Sequence, residues 1–178
     1  MIKSISFLVV TLSFFLPTVL LAQMPKNDEK MYEYHEEASV RRAGSGDLVK
    51  RFEHWANGYF ANAASYTIAV DDSTERYVNI DVTQELAEMM FGVNRTHKDR
   101  TISYHIKFDC DRKDYQYWIN EFKYKALEID HKNRETQHDD YLSDIKSAAT
   151  KSLDEEIHGL MEDVITSFKA AAEIELED

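Results

Sequence analysis

Alternation of polar and apolar residues is the strongest pattern in this chain, and it falls between residues 101 and 124. The apolar positions of its first half are Ile102, Tyr104, Ile106 and Phe108, and the polar positions are Thr101, Ser103, His105 and Lys107. This two-residue period predicts a β-strand, and after a charged turn the aromatic segment 115–124 predicts the returning strand of a long hairpin. Aromatic residues occur on both faces of the returning strand, with Trp118, Phe122 and Tyr124 together on one face, so we expect this strand to be central in the sheet or covered on both faces.

Two further segments nearer the N-terminus also have strand character. Residues 66–70 and 76–82 predict a second hairpin around the acidic turn 71–74. In its second strand, Val78, Ile80 and Val82 share one face, and Tyr77, Asn79 and Asp81 share the other. Residues 32–40 predict a first strand, because the ends of this segment are aromatic and β-branched.

Helical periodicity is found in residues 48–63 and again in residues 140–175, where apolar side chains recur every three or four positions. Together these elements predict an α+β fold, in which an antiparallel sheet of about five strands is packed by both helices. Residues 84–99 form a connection of ambiguous structure. The segment 129–138, which is wholly polar from residue 130 onward, is predicted to be a linker.

The first 22 residues have the three parts of a secretory signal peptide. Lys3 supplies the positive charge, the apolar run 5–16 follows, and 17–22 complete the segment, so the mature chain is expected to start at Gln23. An uncleaved membrane anchor is the alternative, but polar residues and a proline interrupt the apolar run. We therefore expect a periplasmic or secreted protein that does not span the membrane after cleavage. The remaining organisation is a flexible lead-in (23–31), a core domain (32–128), the linker, and an acidic amphipathic helix (139–178).

Charge further restricts the possible partners. The 178 residues contain 21 basic and 33 acidic side chains, for a net charge of −12, so the chain lacks the basic surface that nucleic-acid binding requires. Residues 128–178 alone carry 15 acidic and 5 basic side chains. The apolar stripe of the long C-terminal helix must be buried against its own sheet, another helix or another chain. If the protein is an interaction module, this helix docks on a partner through its apolar stripe or through its charge.

The order of the predicted elements resembles a family of exported bacterial proteins of unknown function with a TATA-binding-protein-like fold. The resemblance lies in residues 48–60 (LVKRFEHWANGYF), the strand 78–82, and the segments 102–108 (ISYHIKF) and 115–122 (YQYWINEF), and it covers about residues 32–128. It implies a curved antiparallel sheet with the helices on one face. It implies no established activity, cofactor or catalytic residue.

No catalytic or metal-binding motif stands out in the sequence. The single cysteine, Cys110, lies between two aspartates that raise the pKa of its thiol, so we expect it to be inert. No HExxH pattern or i, i+4 histidine pair occurs, and His138 with Asp139 and Asp140 offers only a weak cation cluster in the polar linker. The predicted catalytic residues, metal ligands and cofactors are therefore none.

The polar face of the predicted hairpins is the remaining candidate site. Its predicted ligand-binding residues are Tyr77, Asn79, Ser103, His105 and Lys107, although an ordinary solvated sheet face explains the same composition.

Three functions remain open. The first is a non-enzymatic binding or protein-interaction module of the bacterial envelope, whose partner is an unknown envelope protein. The second is a carrier of a small amphiphile, with residues 89–91 (MMF) lining an apolar cavity between sheet and helix. The third is an enzyme that uses His105 with a carboxylate such as Asp81 as its acid-base pair.

Overall fold

The structure is a computed structural model that describes residues 24–41, 43–71, 76–91, 95–145 and 150–174. The predicted signal peptide lies outside these ranges. Within them are seven β-strands and two α-helices. The strands are β1 (Tyr34–Ser39), β2 (Ser65–Val70), β3 (Tyr77–Leu86), β4 (Met89–Phe91), β5 (Arg95–Asp111), β6 (Asp114–Asp130) and β7 (Glu135–Tyr141), and the helices are α1 (Ser45–Tyr59) and α2 (Thr150–Ala172). In this part of the chain neither helix has the length and apolar character needed to cross a bilayer.

All strands join one antiparallel sheet, and both helices pack on the same face of it. The main path of the sheet has the order β1-β6-β5-β3-β2, while β4 pairs with the start of β5 and β7 with the end of β6. The predicted α+β class is confirmed, as are both predicted hairpins. The sheet has two strands more than the five expected.

The two additional strands come from segments that the sequence placed outside the sheet. The predicted connection 84–99 contains the end of β3, all of β4 and the start of β5. The predicted linker 129–138 contains the end of β6, a turn and the start of β7. Because β7 is an exposed edge strand, its backbone pairing needs no apolar face and its side chains can be polar throughout. The turn is held by the Asp130 carboxylate, which accepts hydrogen bonds from the backbone N–H groups of Lys132 (2.8 Å) and Arg134 (2.9 Å).

Two β-bulges change which side chains face the helices. One extra residue lies in β5 at Asp99 and one in β6 at Glu121, and both residues have positive φ angles, of 47° and 56°. The bulge at Glu121 places Phe122 and Tyr124 on the same buried face as Tyr115 and Tyr117. Of the two alternatives predicted for β6, its central place in the sheet, between β1 and β5, is confirmed, whereas coverage of both its faces is not found in the described part of the chain.

The core lies between the sheet and the helices and is mainly aromatic. Phe52 of α1 stacks on Phe108 of β5 with ring centroids 4.0 Å apart. Phe168 of α2 packs edge-on against Phe108 at 5.1 Å and against Tyr117 at 4.7 Å. Trp55 of α1 donates a hydrogen bond to the Ser167 hydroxyl at 2.8 Å, which joins the two helices. These contacts make α2 part of the core.

The apolar stripe of α2 is therefore already covered by its own chain. Its buried members are Leu153, Ile157, Met161, Val164, Ile165, Phe168 and Ala172. Residues 140–144, which were expected to be helical, instead form the end of β7 and a short 3₁₀ turn (Leu142–Asp144), and the described part of the helix starts at Thr150. The predicted packing of the sheet by both helices is thus confirmed, and the alternative, in which this stripe docks on a partner, is corrected because the stripe closes the sheet instead. Cys110 lies in the same core, and burial, more than its acidic neighbour, raises the pKa of its thiol to about 12.

Candidate ligand-binding face

The face of the sheet opposite the helices is formed by alternate residues of β1, β3, β5 and β6. Since Val78, Ile80 and Val82 point into the core, Tyr77 and Asn79 lie on the open face. The sheet register then places Asn79 opposite Lys107, and Asp81 opposite His105. Ser103 lies opposite Thr83 on the same face. All five predicted ligand-binding residues thus lie on two adjacent strands.

Lys107 occupies the centre of this face between two aromatic rings. Its Nζ atom is 5.2 Å from the ring centroid of Tyr77 and 5.5 Å from that of Trp118. Trp118 in turn stacks on His35 of β1, with ring centroids 4.7 Å apart and planes inclined by 10°. We call these four residues the aromatic–lysine cluster. Cation–π contact of this kind holds the ammonium group in place without neutralising its charge.

Acidic groups near the centre of the open face are already paired. Asp81 accepts a hydrogen bond from His105 at 2.9 Å, and Asp109 forms an ion pair with Arg76. Lys107, by contrast, forms no ion pair within the described residues. The centre of the face therefore presents an ammonium group that is in no ion pair with the described residues.

The Asp81–His105 pair confirms the register on which the acid-base hypothesis was based. The Asp81 side chain is 73% exposed, and its contact with the Thr67 hydroxyl is long, at 3.5 Å. The Ser103 hydroxyl is hydrogen-bonded to Thr83 at 2.8 Å rather than to the imidazole. A serine nucleophile is activated by a hydrogen bond to its base, and Ser103 and His105 form no hydrogen bond with each other. The pair fits a polar contact site better than a catalytic dyad.

A shallow cavity of about 230 Å³ adjoins this pair and extends over β2, β3, β5 and β6. Its lining includes Thr67, Asp81, Ser103, His105 and Lys123. The bulge residue Glu121 forms part of its rim. This depression accommodates a protruding side chain of a partner more readily than it encloses a whole ligand.

Trp118 and His35 are the contributors to this face that the sequence reasoning missed. Trp118 was assigned to the face of Phe122 and Tyr124, and only the bulge at Glu121 separates them. The strand β1 was recognised, but its pairing with β6, which sets His35 against Trp118, depends on the tertiary fold. An isolated glutamate at a bulge gives no sequence signal, whereas a glycine there would have given one.

A polar cluster lies on the opposite, helix-covered face, where β5 begins and β6 ends. Arg100 is buried; its Nε donates to the Tyr124 hydroxyl at 2.9 Å, and its guanidinium pairs with Glu156 of α2. The Tyr124 hydroxyl also contacts His97 Nδ1 at 3.0 Å, and His97 Nε2 lies 3.0 Å from Glu128 Oε2. Burial lowers the pKa of His97, although the hydrogen bond to Glu128 opposes this. Burial acts to raise the pKa of Glu128, but contacts with His97 and Arg95 outweigh it and keep that pKa below its usual range.

His138 of β7 completes this second cluster. Alternation along β7 separates it from Asp139, which is exposed and faces Lys125 at 3.7 Å. The weak cation cluster expected from His138, Asp139 and Asp140 is therefore not formed. His138 instead stacks on His97, with ring centroids 5.2 Å apart. Local spacing along the chain carries no signal for this group, because its members come from three strands.

The open antiparallel sheet, with two helices on one side, defines a TATA-binding-protein-like fold. The solved structures that are similar to this chain include the following two. One is a TBP-like protein from Parabacteroides distasonis, with a TM-score of 0.62 and 11% identity over 84% of this chain and 96% of that chain. The other is a DUF4468 family protein from Bacteroides ovatus, with a TM-score of 0.59 and 7% identity over 90% of this chain and 95% of that chain. At these identities the similarity concerns the fold alone. No family model and no curated protein matches the sequence.

Proposed function

We propose that this protein is an exported, non-enzymatic binding module of the bacterial envelope, which takes a partner protein on the open face of its sheet. The observation that carries the proposal is the aromatic–lysine cluster at the centre of a face that no element of the described chain covers. The signal-peptide pattern of residues 1–22, with a lysine followed by an apolar run, supports the export component.

The chemistry of the face favours a protein partner. Tyrosine and tryptophan are the residue types most enriched at the energetic centres of protein interfaces, and here Tyr77 and Trp118 flank a fixed lysine. Hydroxyl and amide side chains such as Ser103 and Asn79 surround them and can form the polar rim. The expected occupant is a folded envelope protein that presents a carboxylate to Lys107 and apolar surface to the two rings.

The alternative of an amphiphile carrier draws no comparable support. A carrier needs an enclosed apolar cavity, and the space between helices and sheet is filled by side chains such as Phe52, Phe108 and Phe168. Met90, expected to line such a cavity, is 69% exposed at the surface. Four cavities in the described part of the chain are surface depressions, which lie at the strand ends, the sheet edge or the open face.

The proposal is tested by photo-crosslinking in intact cells of the source bacterium. A photoreactive phenylalanine analogue replaces Asn79 on the open face or, as the matched control, the exposed Asp163 on α2. We expect a discrete protein adduct from position 79, absent from position 163, that disappears when Lys107→Glu is added. Equal adducts at both positions, or an adduct that survives Lys107→Glu, would contradict the proposal.

Export is tested separately on the same cells. The mass of the mature protein recovered from the periplasmic or secreted fraction should correspond to a chain that starts at Gln23. Recovery of the intact chain with Met1 from the cytoplasm would remove the envelope from the proposal. A native mass spectrum of this material also tests the carrier, which would retain an added mass of a few hundred daltons.

A further inference from the structure

Three metal-binding side chains meet at the helix-covered end of the sheet. His97 lies at the start of β5, Glu128 near the end of β6, and His138 in β7. His97 and Glu128 are direct partners in the sheet register, and the bulge at Asp99 turns His97 to the same face as the buried Arg100. The convergence thus depends on an irregularity built into β5.

The spacing of their ligand atoms suits one divalent ion. Glu128 Oε2 lies 3.0 Å from His97 Nε2 and 3.4 Å from His138 Nε2, and the three ligand atoms all lie within 4.8 Å of one another. Zinc bonds nitrogen and oxygen at about 2.0–2.2 Å, so tetrahedral ligands are about 3.2–3.6 Å apart. Small rotations of these side chains therefore reach the required geometry.

One nitrogen of this group is buried without a well-aligned hydrogen bond. His138 Nε2 is sealed from solvent, and its contact with Glu128 Oε2 at 3.4 Å is close enough for an ion pair but does not have hydrogen-bond geometry. Buried polar atoms are nearly always paired, and one that is left unpaired calls for a physical reason. A metal ion bound between the two residues supplies that reason.

The groups around the three side chains orient them for ligation. The Tyr124 hydroxyl, held by Arg100, contacts His97 Nδ1 and can accept a hydrogen bond from Nδ1–H, which leaves Nε2 as the coordinating atom. Arg95 lies 3.5 Å from Glu128 Oε1 and so holds the other carboxylate oxygen toward the two imidazoles. Such outer contacts accompany most protein metal sites.

We infer that His97, Glu128 and His138 form a binding site for a divalent transition-metal ion of the zinc type. Two imidazoles and one carboxylate are ligands that zinc and its neighbours prefer, whereas calcium and magnesium prefer oxygen alone. The inference is independent of the open face, which lies on the other side of the sheet.

The site is tested by titrating the metal-free mature chain with Zn²⁺ by calorimetry, and with Co²⁺ by visible absorption. We expect one ion per chain, and we expect Glu128→Gln and His138→Gln each to weaken binding by about 100-fold or more, beyond the loss that removal of an outer contact causes. His131→Gln is the matched control, because this exposed histidine lies in the nearby β6–β7 turn. It should change the affinity by less than about twofold, because it contributes no ligand.

Two results would overturn the inference. One is the absence of saturable Zn²⁺ binding to the wild-type chain, and the other is unchanged affinity in His138→Gln. Circular dichroism checks that each variant is folded. His138 lies in an edge strand, so its variant should keep the fold even if Glu128→Gln, nearer the buried network, loses it. Loss of the Co²⁺ bands in folded His138→Gln then supports the site by itself.

Discussion

The packing of Phe168 gives the sharpest test of where α2 belongs. The side chain is fully buried, and its ring lies 4.7 Å from Tyr117, 5.1 Å from Phe108 and 5.7 Å from Trp55. Replacement by alanine reduces the apolar surface that is buried on folding. It also leaves a cavity that the rigid rings around it cannot fill. Substitutions of this kind lower the free energy of unfolding by about 3–5 kcal/mol. Because aromatic rings surround the site, we expect a loss of about 4 kcal/mol for Phe168→Ala.

That loss is a large part of the free energy of unfolding of a typical domain, which is about 5–15 kcal/mol. Urea unfolding followed by circular dichroism measures it, and the melting temperature should fall by about 8–16 °C. Ile174→Ala is the matched control: it also removes an apolar side chain near the end of α2, but from a residue that is 59% exposed. It should cost less than about 0.5 kcal/mol. A loss below about 1 kcal/mol for Phe168→Ala, with an unchanged urea dependence, would refute the conclusion that α2 is core.

Two further predictions concern an ion pair and the thiol. The pKa of the Glu36 carboxyl group is lowered, chiefly by the hydrogen bond that Lys169 donates at 2.7 Å. Its contribution to the free energy of unfolding is therefore present above the ordinary pKa of 4.5 and is lost as the pH falls through the lower pKa of the folded state. Lys169→Met should therefore flatten the fall in unfolding free energy between about pH 5 and 3, whereas Lys151→Met, in an exposed surface pair, should leave that slope unchanged. Cys110 should react with a thiol reagent only at the rate of global unfolding, and rapid labelling of the native protein would contradict its burial.

Regular periodicity explains what the sequence predicted correctly. Ile102 to Phe108 alternate without interruption, and Asp111 to Asp114 form the turn that follows, so the central hairpin and its inward face could be identified. The pairing of Asp81 with His105 follows from two such strands in antiparallel register. Helix α1 likewise has a continuous apolar stripe, which includes Phe52.

Irregular and exposed features explain what the sequence missed. Single-residue bulges at Asp99 and Glu121 reverse the alternation of inward and outward side chains. Trp118 was therefore assigned to the wrong face of its strand, and the inward orientation of His97 could not be predicted. Strand β7 is polar because both of its faces are largely exposed, which removes the periodic signal of a strand. The group of His97, Glu128 and His138 is assembled by strand pairing, and no local spacing reports that kind of contact.

Oxidative footprinting of the two tryptophans tests the central claim most directly, because the identity of the partner does not enter the measurement. Trp55 of α1 is 7% exposed and packs against α2 and the sheet, whereas Trp118 lies on the open face. We expect hydroxyl radicals to oxidise Trp118 much faster than Trp55 in the purified protein, and Trp118 to become protected in intact cells while the exposed Met90 stays reactive. Equal oxidation of Trp118 in cells and in the purified protein would mean that no partner covers the open face, and would contradict the account.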